Sequence, residues 1–252
     1  MNAGVTIIIH QHFPHIHKKM VLTLNFFSFL ILLISIFEIT LMLEDKQQIS
    51  ARKAMTLYRL NLKLSQGFFT VVGCLEIALR NAINKHYLPI HGVNWLQDST
   101  HQGGIFDRPT CVATARIIEV AVTRLGNRYT HDKLIAELDF GFWRYLFARH
   151  QFHAGGQSLL TIFPNLPPSN VNVQYNHNFI FSELEKVNMW RNRLAHHEPI
   201  CFVNGLNIKS TAFARDRYAL ILIFFNWMDI DYEGLLYGLD NIESICDKID
   251  QP

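Results

Sequence analysis

The sequence predicts an all-α protein: a helical bundle with an additional hydrophobic helix at its amino terminus. Through most of the chain, apolar residues recur at three- and four-residue steps, which is the period of one face of an α-helix. Of the 252 residues, 49% are hydrophobic and 17% are charged, so the chain can bury a sizeable core. With only 13 Gly, 8 Pro and 4 Cys, this composition excludes a disordered, a collagen-like and a disulfide-scaffold protein.

The amino-terminal segment carries most of the apolar excess. Residues 20–37 contain no charged side chain, and about 20 residues are needed to cross the hydrocarbon core of a bilayer. Three interpretations remain open: residues 20–43 anchor the protein to a membrane, the true translation start is Met42, or the segment is a buried helix. The domain boundary therefore separates residues 1–43 from a helical body at 44–252.

The body is nearly neutral. Residues 1–43 contain two of the 23 Lys and Arg and one of the 21 Asp and Glu, which leaves 21 basic and 20 acidic residues. A nucleic acid would therefore be recognised by a few placed side chains and not by a broad positive field. The cysteines are widely separated and form no Cys-x-x-Cys pair, which is typical of buried thiols in a reducing compartment such as the cytoplasm.

Consecutive helices are predicted at the start of the body. Helical periodicity extends from Ser50 to Tyr87, with Gly67 and Gly73 as weak points, and this pattern favours two or more helical stretches. Residues 88–110 are rich in turn-forming residues and are predicted to form a loop.

The middle of the chain has clear helix boundaries. A helix is predicted to start near Thr110 and to stop at Gly126, and Thr130 is suited to cap the next helix. Residues 140–152, FGFWRYLFARHQF, are rich in aromatic side chains, which are more often core than binding site because of the area they bury. This stretch is therefore predicted to pack inside the protein.

The last part of the body is predicted to contain a connector and three helices. Residues 153–177 contain Gly and Pro in a pattern that cannot continue a helix. The helix predicted at 179–197 is stopped by Pro199, which disfavours helical geometry in the residue before it. A long helix at 210–228 and a weaker one at 241–249 follow.

A dense polar cluster is expected at the carboxyl end of the helix that Pro199 stops. Residues four apart lie on one face of a helix, so Asn192 and His196 share one face while Arg193 and His197 share the adjacent one. The long side chain of Arg191 can reach back toward the face of His196.

These residue types suit the cleavage of a phosphodiester. An arginine offers planar, permanently charged donors to phosphate oxygens, and an asparagine adds a neutral donor. A histidine can take a proton from a ribose 2′-hydroxyl or give one to the leaving oxygen. With no cluster of aspartates nearby to hold Mg²⁺, the expected cleavage is independent of metal. The spacing alone is also compatible with a solvated helix end whose histidine has only structural contacts.

Four segments in a fixed order resemble a known family. They are YRLNLKLSQGFF (58–69), LEIALRNAI (75–83), IAELDFGFWRYLF (135–147) and WRNRLAHHEPI (190–200). Together they are similar to the Abi-like abortive-infection proteins of the HEPN superfamily. The resemblance extends over about residues 50–235.

The resemblance implies a specific activity and site. The family's Arg-x4-6-His signature corresponds to Arg191 and His196, with Asn192 as the polar residue after the arginine. Arg193 and His197 would be supporting residues. The family pattern implies a HEPN-type bundle that forms a homodimer with a composite active site. It also implies a metal-independent endoribonuclease without a cofactor, acting as a toxin or in phage defence, with RNA as substrate and an antitoxin as a further partner.

Alternatives to catalysis remain open. Some HEPN proteins bind RNA or regulate partners without cleavage, and a membrane protein whose function lies in its anchor is a third class.

Glu76, Arg80 and Asn81 form a separate polar group in an apolar helix. Glu76 and Arg80 are four apart, so they either form a structural ion pair or line the cleft beside Arg191.

Overall fold

The computed structural model describes residues 5–6, 23–24, 51–203 and 205–251. Within the last two of these ranges the protein consists of helices and their connections, and no β-strand occurs there. The all-α prediction is therefore confirmed for the described body.

Two short strands belong to the amino-terminal segment. Strand β1 (Val5–Thr6) pairs antiparallel with β2 (Thr23–Leu24), and Val5 lies opposite Leu24. Thus Thr23 and Leu24 are extended in a region for which a hydrophobic helix is predicted. The rest of that predicted helix, and Met42, lie outside the described residues.

A single long helix, α1 (Ala51–His91), forms the centre of the body. Its 41 residues correspond to a length of about 60 Å. The prediction of two or more helices here is wrong, because Gly67 and Gly73 lie within α1 without ending it. The predicted loop also begins later than expected, since α1 continues through Pro89 to His91.

Nine further α-helices follow α1 in the described residues. In chain order they are α2 (Trp95–Asp98), α3 (Val112–Leu125), α4 (His131–Glu137), α5 (Phe140–Tyr145), α6 (Arg149–Ala154), α7 (His177–Ala195), α8 (Ala212–Trp227), α9 (Tyr232–Leu235) and α10 (Ile242–Asp250). Short 3₁₀ turns lie at Pro109–Cys111, Gly126–Arg128 and Leu159–Ile162.

Several predicted boundaries are confirmed. Gly126 ends α3 with a positive φ of 49°, a backbone geometry that glycine adopts readily. The Thr130 hydroxyl accepts a hydrogen bond of 3.2 Å from the Lys133 amide and so caps α4. Trp143 in the aromatic stretch is fully buried, as expected for core.

Helix α1 is the element on which the others are assembled. Helices α7, α8 and α10 pack against it, and α5 packs against both α1 and α7. Helices α2, α3 and α4 contact one another, and α2 connects this group to α1. The buried side of α1 faces these helices with apolar side chains at helical spacing, among them Leu64, Phe68, Val71, Leu75, Leu79 and Ile83.

The carboxyl-terminal helix is held in place by charge pairs as well as by its core. Arg215 of α8 forms ion pairs with Glu243 and Asp247 of α10, and its Nη2 lies 3.6 Å from Asp250 Oδ2. Because α10 also packs against α1, these contacts hold the end of the chain against the central helix.

Candidate functional site

Helix α7 carries the predicted motif and packs against the central helix α1. The Asn176 side chain caps its amino terminus by accepting a hydrogen bond of 3.1 Å from the Phe179 amide. Its apolar stripe is buried, and this orients the whole helix. The stripe consists of Ile180, Leu184, Val187 and Leu194. Arg191 is half-buried on the same side of the helix as this stripe.

The structure brings charged groups from three segments together. Glu76 is close enough to Arg191, Arg80 and Asp139 for their charges to act on it. Burial raises the pKa of the Glu76 carboxyl above its ordinary value; the two arginines oppose that shift and Asp139 adds to it. We call these four side chains the charged cluster. It links the LEIALRN, LDFGFW and WRNRLAHH segments in space.

Asp139 is a member of the cluster that the sequence patterns did not reveal. Its carboxylate caps α5 by accepting a hydrogen bond of 2.9 Å from the Phe142 amide. Gly141, in the first turn of α5, lies close to it, since an added Cβ there would be 3.3 Å from Asp139 Oδ1. An aspartate immediately before a helix is a capping signal, but nothing in its spacing indicates that it lies near Glu76.

Arg80 and Asn81 have different surroundings although they are adjacent in sequence. Arg80 is half-buried, and its Nε is a buried donor without a hydrogen-bond partner in the described part of the chain. A buried donor of this kind is costly unless a ligand or solvent satisfies it. Asn81 is exposed. Arg80 is therefore the stronger candidate for contact with a bound anion.

The carboxyl end of α7 forms a Schellman motif. The Glu198 amide donates to the Arg193 carbonyl at 3.0 Å, and the His197 amide donates to the Leu194 carbonyl, also at 3.0 Å. His197 is left-handed with φ of 55°, at a position where glycine is usual. His196, between Ala195 and His197, is the C-cap residue of α7.

Asn192 and His196 lie on the outer face of this helix end. Both side chains are exposed, and the His196 amide donates to the Asn192 carbonyl at 2.9 Å. Met189, one turn earlier on the same face, is 63% exposed. The predicted shared face of Asn192 and His196 therefore opens to solvent.

Arg193 is engaged in structural contacts. Its Nε donates to Glu198 Oε2 at 2.9 Å, and its Nη2 donates to the Pro199 carbonyl at 3.1 Å. Its guanidinium carbon also lies 5.5 Å from the centre of the Trp190 ring, within reach of a cation–π contact. These contacts fix the chain after α7 and occupy the side chain.

Asn61 of α1 is a second residue that the sequence patterns did not single out. It is buried, and its Oδ1 accepts a hydrogen bond of 2.9 Å from the Ile200 amide. This bond fastens the segment after Pro199 to the central helix. Asn61 is a buried polar residue within an apolar stripe, and that contrast is the signal by which it could have been found.

Two further properties bear on the kind of site. No group of three or more His, Cys, Asp or Glu side chains that could hold a metal ion occurs within the described ranges. The Arg52–His91 helix is long and apolar enough to cross a membrane, but 44% of its most apolar window is buried inside the fold. A core helix of a soluble protein has the same properties.

No family model matches the chain, and no curated protein or solved structure matches it. Its function is therefore inferred from the side chains that α1, α5 and α7 bring together.

Proposed function

We propose that the protein is a metal-independent endoribonuclease of the HEPN type, acting in abortive infection, phage defence or as a toxin. The observation that carries this proposal is the charged cluster. Arg191, Arg80 and Asp139 each act electrostatically on Glu76, and His196 follows Arg191 by five residues at an exposed helix end. Two arginines, an exposed histidine and an exposed asparagine are the kinds of group that phosphodiester cleavage uses.

The chemistry follows from the roles of these groups. Arg191 and Arg80 hold the scissile phosphate and offset the charge that develops on its oxygens. His196 removes the proton of the ribose 2′-hydroxyl, and the 2′-oxygen attacks the phosphorus. The bond from phosphorus to the 5′-oxygen breaks, and that oxygen receives a proton from an imidazolium. The products carry a 2′,3′-cyclic phosphate and a 5′-hydroxyl, and Asn192 orients the phosphate.

A homodimer with a composite site belongs to this proposal. Two copies of the helix end would supply one histidine as base and another as acid. What supports a dimer is the outer face of α1, where Met55, Leu62, Phe69 and Ile77 are 39%, 40%, 42% and 48% exposed. They are seven or eight residues apart and so form one stripe, which reaches the region of Glu76.

A non-catalytic RNA-binding or regulatory module is the second candidate. The observation that favours it is that the His196 side chain has no hydrogen-bond partner within the described residues, whereas a catalytic histidine is commonly oriented by a second group. If the protein is such a binding module, the charged cluster and Asn192 hold RNA or an antitoxin and no bond is cleaved.

Expression in cells separates these candidates. We expect the full chain, expressed alone, to arrest growth and to leave cellular RNA with 2′,3′-cyclic phosphate ends. Arg191→Ala with His196→Ala should abolish both effects. Arg149→Ala with His150→Ala is the matched control, because this exposed Arg–His pair lies elsewhere, at the start of α6. Growth arrest by the Arg191 and His196 variant equal to that of wild type would contradict catalysis.

An RNA substrate fits a cytoplasmic location of the body. Cell fractionation of the full chain, beside a chain that starts at Met42, tests the further proposal that residues 20–43 attach it to a membrane. A full chain recovered entirely in the soluble fraction would remove the anchor.

A further inference from the structure

Helix α3 exposes an aliphatic face. One side of the helix packs against α2 and α4 and is buried. On the outer side Val112, Ile117 and Val120 are 62%, 49% and 48% exposed. The buried residues are Thr114, Ile118, Ala121 and Leu125. Three large aliphatic side chains on one surface helix therefore leave about half or more of their surface uncovered by the described part of the protein.

Arginines alternate with these aliphatic residues. Arg116 lies one turn from both Val112 and Val120, and Arg124 lies one turn beyond Val120. Two more exposed arginines, Arg108 and Arg128, flank the two ends of the helix. We call these aliphatic and arginine side chains together the α3 face.

The α3 face has an excess of positive charge. Arg124 pairs with Glu137 of α4 at 2.7 Å. Arg108, Arg116 and Arg128 make no salt bridge with any described residue. Glu119, toward the edge of the face, and Asp107, next to Arg108, are its nearby acidic residues, and the three arginines without a salt bridge exceed them by one charge. An occupant of this face must therefore be both apolar and anionic.

We propose that the α3 face docks on an anionic lipid bilayer surface. In the interface of such a bilayer the aliphatic side chains enter the boundary between headgroups and acyl chains, while the arginines stay at the level of the anionic headgroups. Each arginine near the surface adds attraction because the bilayer potential is negative. An anionic bilayer surface therefore matches both the aliphatic and the arginine side chains of the α3 face.

Other occupants match either the aliphatic or the arginine side chains of the α3 face, but not both. A second copy placed on the same face by a two-fold axis would bring arginines against arginines. RNA would meet the arginines, but Val112, Ile117 and Val120 offer its bases no aromatic ring on which to stack.

Docking through α3 would also place the charged cluster near the bilayer. Arg124 is bonded to Glu137, and Glu137 is two residues from Asp139, a span of about 7 Å at most. The proposal does not depend on endoribonuclease activity, since it concerns attachment alone.

Vesicle cosedimentation of the purified full chain tests this docking. The probes are phosphatidylcholine vesicles with and without phosphatidylglycerol, at low and high salt. We expect binding only to the anionic vesicles and loss of binding at high salt. Arg116→Gln with Arg128→Gln should weaken binding about 25-fold, or about fivefold for each arginine. Ile117→Asn with Val120→Asn should weaken it as well.

The matched control is Arg149→Gln with Ile223→Asn, which removes one exposed arginine and one exposed aliphatic residue from other helices. It should bind like wild type. Circular dichroism verifies the fold, and the two arginine changes remain informative if the aliphatic variant unfolds. Binding that is unchanged in all α3 variants would overturn the proposal and assign attachment to another segment. Absence of binding to anionic vesicles, with RNA bound through the same arginines, would also overturn it.

Discussion

At the scale of single residues, Glu76 is the group whose environment is most informative. Burial raises the pKa of its carboxyl, although Arg191 and Arg80 act in the opposite direction. The attraction of the two arginines therefore does not fully offset the cost of removing the ionised carboxylate from water. An arrangement of this kind leaves the arginines available for an incoming phosphate.

Glu76→Gln should show a pH-dependent gain in stability. A carboxyl whose folded pKa is raised stabilises the protein fully below its unfolded pKa, and this contribution is lost as pH rises through the folded value. The amide cannot ionise, so the variant should match wild type below about pH 4 and exceed its free energy of unfolding at neutral pH. Urea denaturation across this range measures the difference, and Glu233→Gln at an exposed site is the control for loss of one charge. A variant less stable than wild type at neutral pH would contradict the raised pKa.

His197 provides a test of the helix end. Its left-handed backbone, with φ of 55°, is unfavourable for any residue that carries a Cβ. His197→Gly and His197→Ala both remove the imidazole and its contacts, but glycine adopts this backbone without strain. The glycine variant should therefore be more stable than the alanine variant by about 1 kcal/mol in chemical denaturation. Equal stabilities would show that the backbone is not left-handed there.

The contrast between Arg191 and Arg193 shows what the sequence could predict at this scale. Helical spacing correctly placed Asn192 and His196 on one face. It could not distinguish the arginine whose charge acts on Glu76 from the one that binds Glu198, because these relations are set by the tertiary fold. Asp139 was missed for the same reason.

At the scale of elements, α1 shows how packing overrides local preference. Two glycines within a helix each cost about 1 kcal/mol relative to alanine, and this cost favoured a predicted break. The helix nevertheless continues, because α7, α8 and α10 pack against its buried side. Each fully buried Leu or Phe adds roughly 1.5–3 kcal/mol, which outweighs the cost of the glycines.

The two glycines should respond differently to alanine. A Cβ at Gly73 would meet no atom within 4 Å, whereas one at Gly67 would lie 3.2 Å from both Asn241 Oδ1 and Ile242 Cγ1. Gly73→Ala should therefore stabilise the protein by about 0.5–1 kcal/mol through helix propensity. Gly67→Ala should be less stable than Gly73→Ala, because it crowds the contact between α1 and α10. Thermal denaturation compares them, and an equal gain in both would contradict the close approach of α10.

At the scale of the whole molecule, the candidate site depends on the assembly of distant segments. More than fifty residues separate Glu76 from Asp139, and Asp139 from Arg191. The charges of Asp139 and Arg191 act on Glu76 because α5 and α7 both pack on α1. Periodicity and capping signals predicted most of these helices but carried no information on which of them are neighbours. The resemblance of the segments 75–83, 135–147 and 190–200 to one family predicts a common site, and this stays a prediction.

The most direct measurement of the central claim is RNA cleavage by the purified full chain in EDTA. Wild type and His150→Ala, a control at an exposed histidine outside the cluster, should cut RNA and leave 2′,3′-cyclic phosphate ends. His196→Ala should keep its circular dichroism spectrum and lose at least about 100-fold in rate, as expected when a general acid–base group is removed. Cleavage by His196→Ala at the wild-type rate, or no cleavage by wild type, would contradict the account.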